Sequence, residues 1–263
     1  MEKTFKKIGI IYNCDVIESI NLAKKIKEKL NNSILFCTDE MNNDIDLAIA
    51  IGGDGTFLKT ARFYSPYSIP VLGFNVGRLG YLAQAKPEEI ENVIQKLNNN
   101  DFKIENRLML KANNKTALND VVIKGVNCAR SSTMNLYIND NKLCSYVADG
   151  LIISTPTGST AYSLSAGGPI ISPDVNAFCI TPIAAHAFSQ RAIVCNANSM
   201  CEICVAGGAN ANLFVDGRYI SEVNKEMNIS IEKADNFTSF LRKQDFDFYK
   251  RLSEKLKFDY GRN

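Results

Sequence analysis

A continuous apolar run, Leu47 to Ile51, passes directly into Gly52-Gly53-Asp54-Gly55-Thr56, and no other junction constrains the fold as tightly. A strand that is apolar at every position is covered on both faces, as in a parallel sheet wrapped by helices. The neighbouring segments fit that reading. Lys7 to Tyr12 and Ile34 to Cys37 read as strands, and Ile69 to Phe74 repeats the buried-strand pattern. From Asp15 to Leu30, the residues Ile17, Ile20, Ala23, Ile26 and Leu30 fall close to helical spacing with lysines opposite. Pro87 to Leu97 reads as a helix with proline in its first turn. Strands alternating with helices predict an α/β domain with a parallel sheet and flanking helices.

The pattern changes after Asn98-Asn99-Asn100. Phe102, Ile104, Leu108, Leu110 and Ala112 follow a period of two with a slip at Asn106, and further β-type runs continue to residue 232. Asn139-Asp140-Asn141 and Asp216-Gly217 mark turns between them. The expected organisation is an α/β domain over 1–100 and a mainly β domain over 101–240. A C-terminal helix within 241–263, with Phe248, Tyr249, Leu252 and Leu256 on one face, is expected to pack back on the first domain.

Composition excludes several classes. The formal charge is +2 with no basic stripe, so nucleic acid is not an expected partner. No stretch approaches the roughly 20 apolar residues a membrane helix needs, so the expectation is a soluble, cytoplasmic protein without a membrane partner. Eight cysteines are scattered through a chain that can build a core. Cys201-Glu202-Ile203-Cys204 has no second pair, and the sole histidine, His186, cannot complete a zinc finger. The cysteines read as reduced and structural.

The chemistry gathers at the strand ends. Gly52, Gly53 and Gly55 let backbone N–H groups approach a ligand, and Thr56 is placed to cap a helix from Phe57 to Tyr64. Exposed amides at a helix N-terminus form a phosphate site. Asp54 adds negative charge there, which suits Mg²⁺ or a hydroxyl nucleophile; a tight turn with a solvated aspartate is the plainer alternative. Asn75-Val76-Gly77-Arg78-Leu79-Gly80 supplies a second glycine loop at the end of the next strand, and ligands in open α/β sheets bind beyond such ends. A third strand runs from Asp149 into Ser154-Thr155-Pro156-Thr157-Gly158-Ser159-Thr160-Ala161-Tyr162-Ser163, a density of small hydroxyl residues suited to a nucleotide.

Together with Glu105 to Leu110, Asn119-Asp120, Ala166-Gly167-Gly168-Pro169, Thr181-Pro182-Ile183, His186 and Asp247-Phe248-Tyr249, these motifs resemble the NAD kinases over nearly the whole chain. Gly-Gly-Asp-Gly-Thr is shared with lipid kinases and phosphofructokinases, whereas the run from Thr155 to Pro169 is far more specific. The resemblance implies transfer of the ATP γ-phosphate to the adenosine ribose 2′-hydroxyl of NAD, giving NADP. It also implies a catalytic Asp54 near Mg²⁺, a phosphate cradle of Gly52, Gly53, Gly55 and Thr56, and phosphate support from Lys59. Asn119 and Asp120 would bind the NAD ribose and phosphate region. Asp149 would contact NAD, in the family often across a subunit interface. Thr160, Ala161 and Tyr162 would form the adenine-side loop, with Thr157 and Ser165 also binding the nucleotide. A homodimer or homotetramer is implied as well.

The chain departs from the pattern in three places. Asp120 stands where Glu is usual, Val147 where many relatives carry Arg, and the segment before His186 lacks the usual proline. His186 reads as structural or interfacial, because phosphoryl transfer needs no histidine. Asp216-Gly217 reads first as a type I′ turn and second as a nucleotide contact. A lipid kinase, a non-catalytic NAD or NADP sensor, and a serine hydrolase on Ser159 and His186 are the competing readings. The last lacks a Gly-x-Ser-x-Gly turn.

Overall fold

The structure, a computed structural model, describes residues 5–77, 80–126, 131–187, 189–208, 210–225 and 227–257. Arg78 and Leu79 of the second glycine loop lie outside the described residues. The chain divides into two compact units, one of residues 1–106 and 237–263 and the other of 107–236.

The first unit opens with β1 (Ile8–Tyr12), α1 (Ile17–Lys29), β2 (Ser33–Cys37), β3 (Leu47–Gly52), α2 (Asp54–Tyr64), β4 (Val71–Asn75), α3 (Ile90–Asn98) and β5 (Phe102–Arg107). The second unit contains β6 (Leu110–Ala112), β7 (Lys115–Ala117), β8 (Asp120–Gly125), β9 (Ser132–Ile138), β10 (Asn141–Ala148) and β11 (Gly150–Ser154). It continues with the single turn α4 (Tyr162–Ser165), then β12 (Ala177–Ile183), β13 (Ile193–Asn196), β14 (Cys201–Gly207), β15 (Ala211–Val215), β16 (Arg218–Val223) and β17 (Asn228–Lys233). The chain then returns to the first unit as β18 (Thr238–Lys243) and α5 (Phe248–Leu256).

The first unit holds one sheet in the order β2-β1-β3-β4-β18-β5, with β1, β2, β3, β4 and β18 joined by parallel pairings. As the apolar run requires, every residue of β3 is buried. Two helical faces differ from expectation. Ile17 is 63% exposed, and Leu22 takes the place it was expected to fill on the buried face of α1. Tyr249 is 66% exposed, so α5 is anchored chiefly by Leu252. Both displaced residues sit in a first helical turn, where the chain is still entering the packed face.

The second unit consists of two sheets, β10-β9-β14-β17-β6-β7 and β13-β12-β11-β8-β15-β16, enclosing one apolar core. The β-type pattern is interrupted between β7 and β8. β7 ends at Ala117 and β8 begins at Asp120, because Leu118, Asn119 and Asp120 donate their N–H groups to the Asp216 carboxylate. Cys14 and Cys37 form a disulfide, correcting the expectation that all the cysteines are reduced. Parallel pairing of Tyr12 with Cys37 brings Cys14, two residues further on, within a Cα–Cα distance of 5.8 Å. Cys144, Cys179, Cys195, Cys201 and Cys204 are free, and Cys128 lies outside the described residues. Cys201 and Cys204 are three positions apart on β14 and therefore face opposite sides of the sheet, so they form no metal or redox pair.

Candidate active site

In the first unit, Gly52 pairs in register with Asn75, so the loops after β3 and β4 leave the sheet side by side. They leave at the carboxyl ends of strands in an order that reverses around β1, the usual binding edge of such sheets. Gly53 is the N-cap of α2, and the helix starts at Asp54. Thr56 is therefore inside the first turn rather than capping it, since two extended glycines let the helix begin earlier than expected. Its side chain packs on Gly52, where a Cβ would lie 2.4 Å from Thr56 Oγ1. A Cβ at Gly53 or Gly55 would meet nothing within 4 Å, which leaves the amides of this turn open to an anion.

Asp54 is fixed from outside its own helix. Its carboxylate accepts hydrogen bonds from the Tyr81 N–H at 3.1 Å and the Leu82 N–H at 3.3 Å. Gly80 lies directly against it, and a Cβ there would stand 1.9 Å from Asp54 Oδ1. We expect Gly80→Ala to push the carboxylate aside and lower kcat about 100-fold, the scale of an ångström-level misplacement. A turnover assay on folded variant checks this, and a loss under threefold would contradict it.

Lys255 of α5 places its ammonium 5.4 Å from the centroid of the Tyr81 ring. Burial lowers the Lys255 pKa, and the Asp54 charge opposes that shift. The Tyr81 hydroxyl is pushed up by burial and by Asp54. Lys59, by contrast, pairs with Asp39 rather than with Asp54.

In the second unit, Asn119 and Asp120 are held from two sides. Thr155 donates its N–H to the Asn119 carbonyl at 2.9 Å and its hydroxyl to the Leu118 carbonyl at 2.5 Å. Gly158 lies so close that a Cβ there would sit 2.0 Å from the Asn119 carbonyl oxygen. Asp216 accepts the N–H groups of Leu118 (3.0 Å), Asn119 (2.7 Å) and Asp120 (3.2 Å) and returns its own N–H to the Asp120 carbonyl. Asp216 and Gly217 both take positive φ, as a type I′ turn requires. The turn thus also positions the Asn119-Asp120 segment, a role the sequence reading did not assign.

Thr157 is buried and accepts a hydrogen bond from the buried Arg107 guanidinium at 3.1 Å. The sequence motif assigns Arg107 no role; its signal is an arginine within an otherwise alternating β-type run. Tyr162 and Ser165 are exposed, and Thr160 and Ala161 are half-buried. Asp149 precedes β11 while Thr155 follows it. Five strand residues at about 3.3 Å each set roughly 16 Å between those ends, but the loop turns back along the strand, where Ser163 meets Thr181 at 2.8 Å and Thr181 pairs with Ile152, three residues from Asp149. His186 is exposed and lines a cavity of about 420 Å³ with Gly167, Thr181 and Arg191.

Burial, reinforced by the Asp216 charge, pushes the Asp120 pKa up from 3.8 to about 7. The unfolded chain releases that proton near pH 4 while the folded protein retains it, so stability falls as pH rises from about 4 to 7. The full rise corresponds to roughly 4 kcal/mol. Asp120→Asn is expected to flatten this slope and to raise stability at pH 8. Urea unfolding at pH 5 and pH 8 measures it; an unchanged pH slope would rule out Asp120 as the titrating group.

A glycine-rich turn on a helix N-terminus, an aspartate locked beside it, and a parallel-sheet edge that presents both define a phosphoryl-handling nucleotide enzyme. Residues 14–102 match the model of the ATP-NAD kinase N-terminal domain, and residues 118–243 match that of the ATP-NAD kinase C-terminal domain. The NAD kinase of Carboxydothermus hydrogenoformans is 38% identical over 229 residues, covering 83% of this chain and 82% of that protein. The chain belongs to the NAD kinase family, and is thus a kinase that transfers phosphate to a hydroxyl group. Its fold is that of yeast NADH kinase complexed with NADH (TM-score 0.85, 24% identity, covering 99% of this chain and 90% of that one). The NAD kinase from Archaeoglobus fulgidus in complex with ATP shares it too (TM-score 0.81, 23% identity, covering 95% and 98%).

Proposed function

We propose that this enzyme transfers the γ-phosphate of ATP to the adenosine ribose 2′-hydroxyl of NAD, with Asp54 as the catalytic residue. The supporting observation is the placement of Asp54 at the first turn of α2, among open amides and gripped by the Tyr81 and Leu82 N–H groups. The 2′-hydroxyl attacks the γ-phosphorus in line, the bond to the β-phosphate oxygen breaks, and the hydroxyl proton passes to Asp54 or solvent. A carboxylate is a weak base toward an alcohol, so Asp54 acts mainly by orienting the nucleophile. Each Asp54 oxygen accepts one backbone N–H bond and keeps a lone pair, which fits Mg²⁺ held by one carboxylate together with substrate phosphates. When bound, that ion neutralises charge on the transferring phosphate.

Gly52, Gly53, Gly55 and Thr56 would cradle the donor phosphates, with Lys59 free to join only by leaving Asp39. Asn119, Asp120 and the 157–165 loop would hold NAD in the β-rich unit. Asp149 would contact NAD across a subunit interface of a homodimer or homotetramer, in keeping with the family. A cytoplasmic setting is part of this reading; among the described residues five cysteines are free and Cys14–Cys37 is the one disulfide. Purified protein with NAD, ATP and Mg²⁺ should form NADP and ADP in equal amounts. ATP hydrolysis without NADP would refute the reading, and light scattering of the same sample should give an assembly larger than one chain.

A further inference from the structure

Arg242, on β18, is only 1% exposed, so its guanidinium has left water and meets its partners inside the first unit. Its Nε donates to Glu105 Oε2 on β5 at 3.2 Å, and its Nη1 donates to the Leu82 carbonyl at 3.2 Å. The same group lies 4.7 Å from the ring centroid of Phe240 and 4.2 Å from that of Phe246. Stability alone does not call for this arrangement, because apolar side chains often replace a buried ion pair at no cost.

Two routes lead from Arg242 to Asp54. The Leu82 N–H donates to Asp54 while the Leu82 carbonyl accepts from Arg242, so only the two backbone dihedrals of Leu82 separate the two bonds. The second route runs through α2. Phe57 stands three residues after Asp54, on the same helix face, and its ring meets Phe240 edge-on at 4.9 Å. Phe240 and Arg242, two residues apart on β18, share a face of the sheet. Asp54, Phe57, Phe240, Arg242 and Leu82 thus close a circuit. Gly73 on β4 keeps it tight, since a Cβ there would lie 2.6 Å from the Phe57 ring and 2.9 Å from the Ala83 Cα. One guanidinium therefore braces both the helix that carries the carboxylate and the segment that donates to it.

We infer that Arg242 is a positioning residue for the proposed phosphoryl transfer, an inference that rests on Asp54 as the catalytic residue. It acts through Leu82 and Phe240, by keeping the Asp54 carboxylate aimed. The planar fork matters, because two different nitrogens serve Glu105 and Leu82 in one fixed geometry.

The test removes both charges of the pair together, Arg242→Met with Glu105→Gln, so that no unpaired ion is left behind. The melting temperature should stay within about 5 °C of wild type. Turnover should fall about tenfold to 100-fold, the scale of a displaced catalytic group, while KM for ATP and NAD change less than about threefold. In an Asp54→Asn background the same two changes should lower kcat by less than about threefold further, because nothing is left to position. Arg242→Lys keeps the charge but offers one nitrogen where two are used. It should fold even where the double change does not, lose about fivefold in kcat, and show the same missing effect beside Asp54→Asn. A wild-type kcat in these variants overturns the inference, and so do losses that multiply with that of Asp54→Asn. A lowered melting temperature with kcat and KM affected alike also overturns it, as a purely structural role. Failure of the underlying reading looks different: wild-type protein would form no NADP, or Asp54→Asn would keep its turnover.

Discussion

Asp54→Asn should reduce kcat by about 10²–10³-fold, a loss of ~3–4 kcal/mol of preorganised electrostatic stabilisation, while leaving KM for NAD and ATP within a few-fold. Its effect is large because one residue serves two needs. The carboxylate carries the negative charge that would hold a divalent ion near the transferring phosphate, and both its oxygens face backbone donors from Tyr81 and Leu82. An amide can satisfy only one of those donors, since its nitrogen would meet an N–H head-on. The variant therefore loses charge and position together. Its position at the first turn of α2 also favours the carboxylate through the helix dipole, by about 0.3–1 kcal/mol. Stability should consequently drop only slightly, and a thermal melt beside the turnover assay separates the two effects. Near-wild-type kcat in folded Asp54→Asn would remove Asp54 from the mechanism.

Asp216→Ala is expected to lose about 3–5 kcal/mol of folding stability and to raise KM for NAD at least tenfold. Three backbone N–H groups lose a charged acceptor, and hydrogen bonds to charged groups contribute about 1.5–3 kcal/mol each before non-additivity reduces the sum. Alanine also tolerates the left-handed turn conformation of residue 216 poorly. The cost to binding follows because Asn119 and Asp120 keep their positions only while that clamp is closed. Asp216→Asn keeps one acceptor oxygen and a side chain suited to the turn, so it should fall between wild type and alanine. Urea unfolding and NAD titration kinetics on both variants measure this ordering. Equal stability of Asp216→Ala and wild type would show that the clamp carries no weight.

The sequence alone determined the parallel sheet, the change to a β-rich second unit, the two glycine loops at adjacent strand ends, and the family. Those features are written in short windows: β3 is apolar at every position, Gly52 to Gly55 follow it at once, and the run from Asp149 to Pro169 is continuous. Tertiary structure decided what holds the reacting groups. The partners of Asp54 come from 27 and 28 residues away, and Asp216 reaches Asn119 across 97. No local pattern specifies such pairings, because they exist only once strands are in register and loops have closed. The same reason accounts for the rest. The early start of α2 at Asp54 and the exposure of Ile17 depend on packing, as do the Cys14–Cys37 link and the burial of Arg242. Periodicity reports which residues avoid water, while the identity of the atom each one meets is settled by the folded chain.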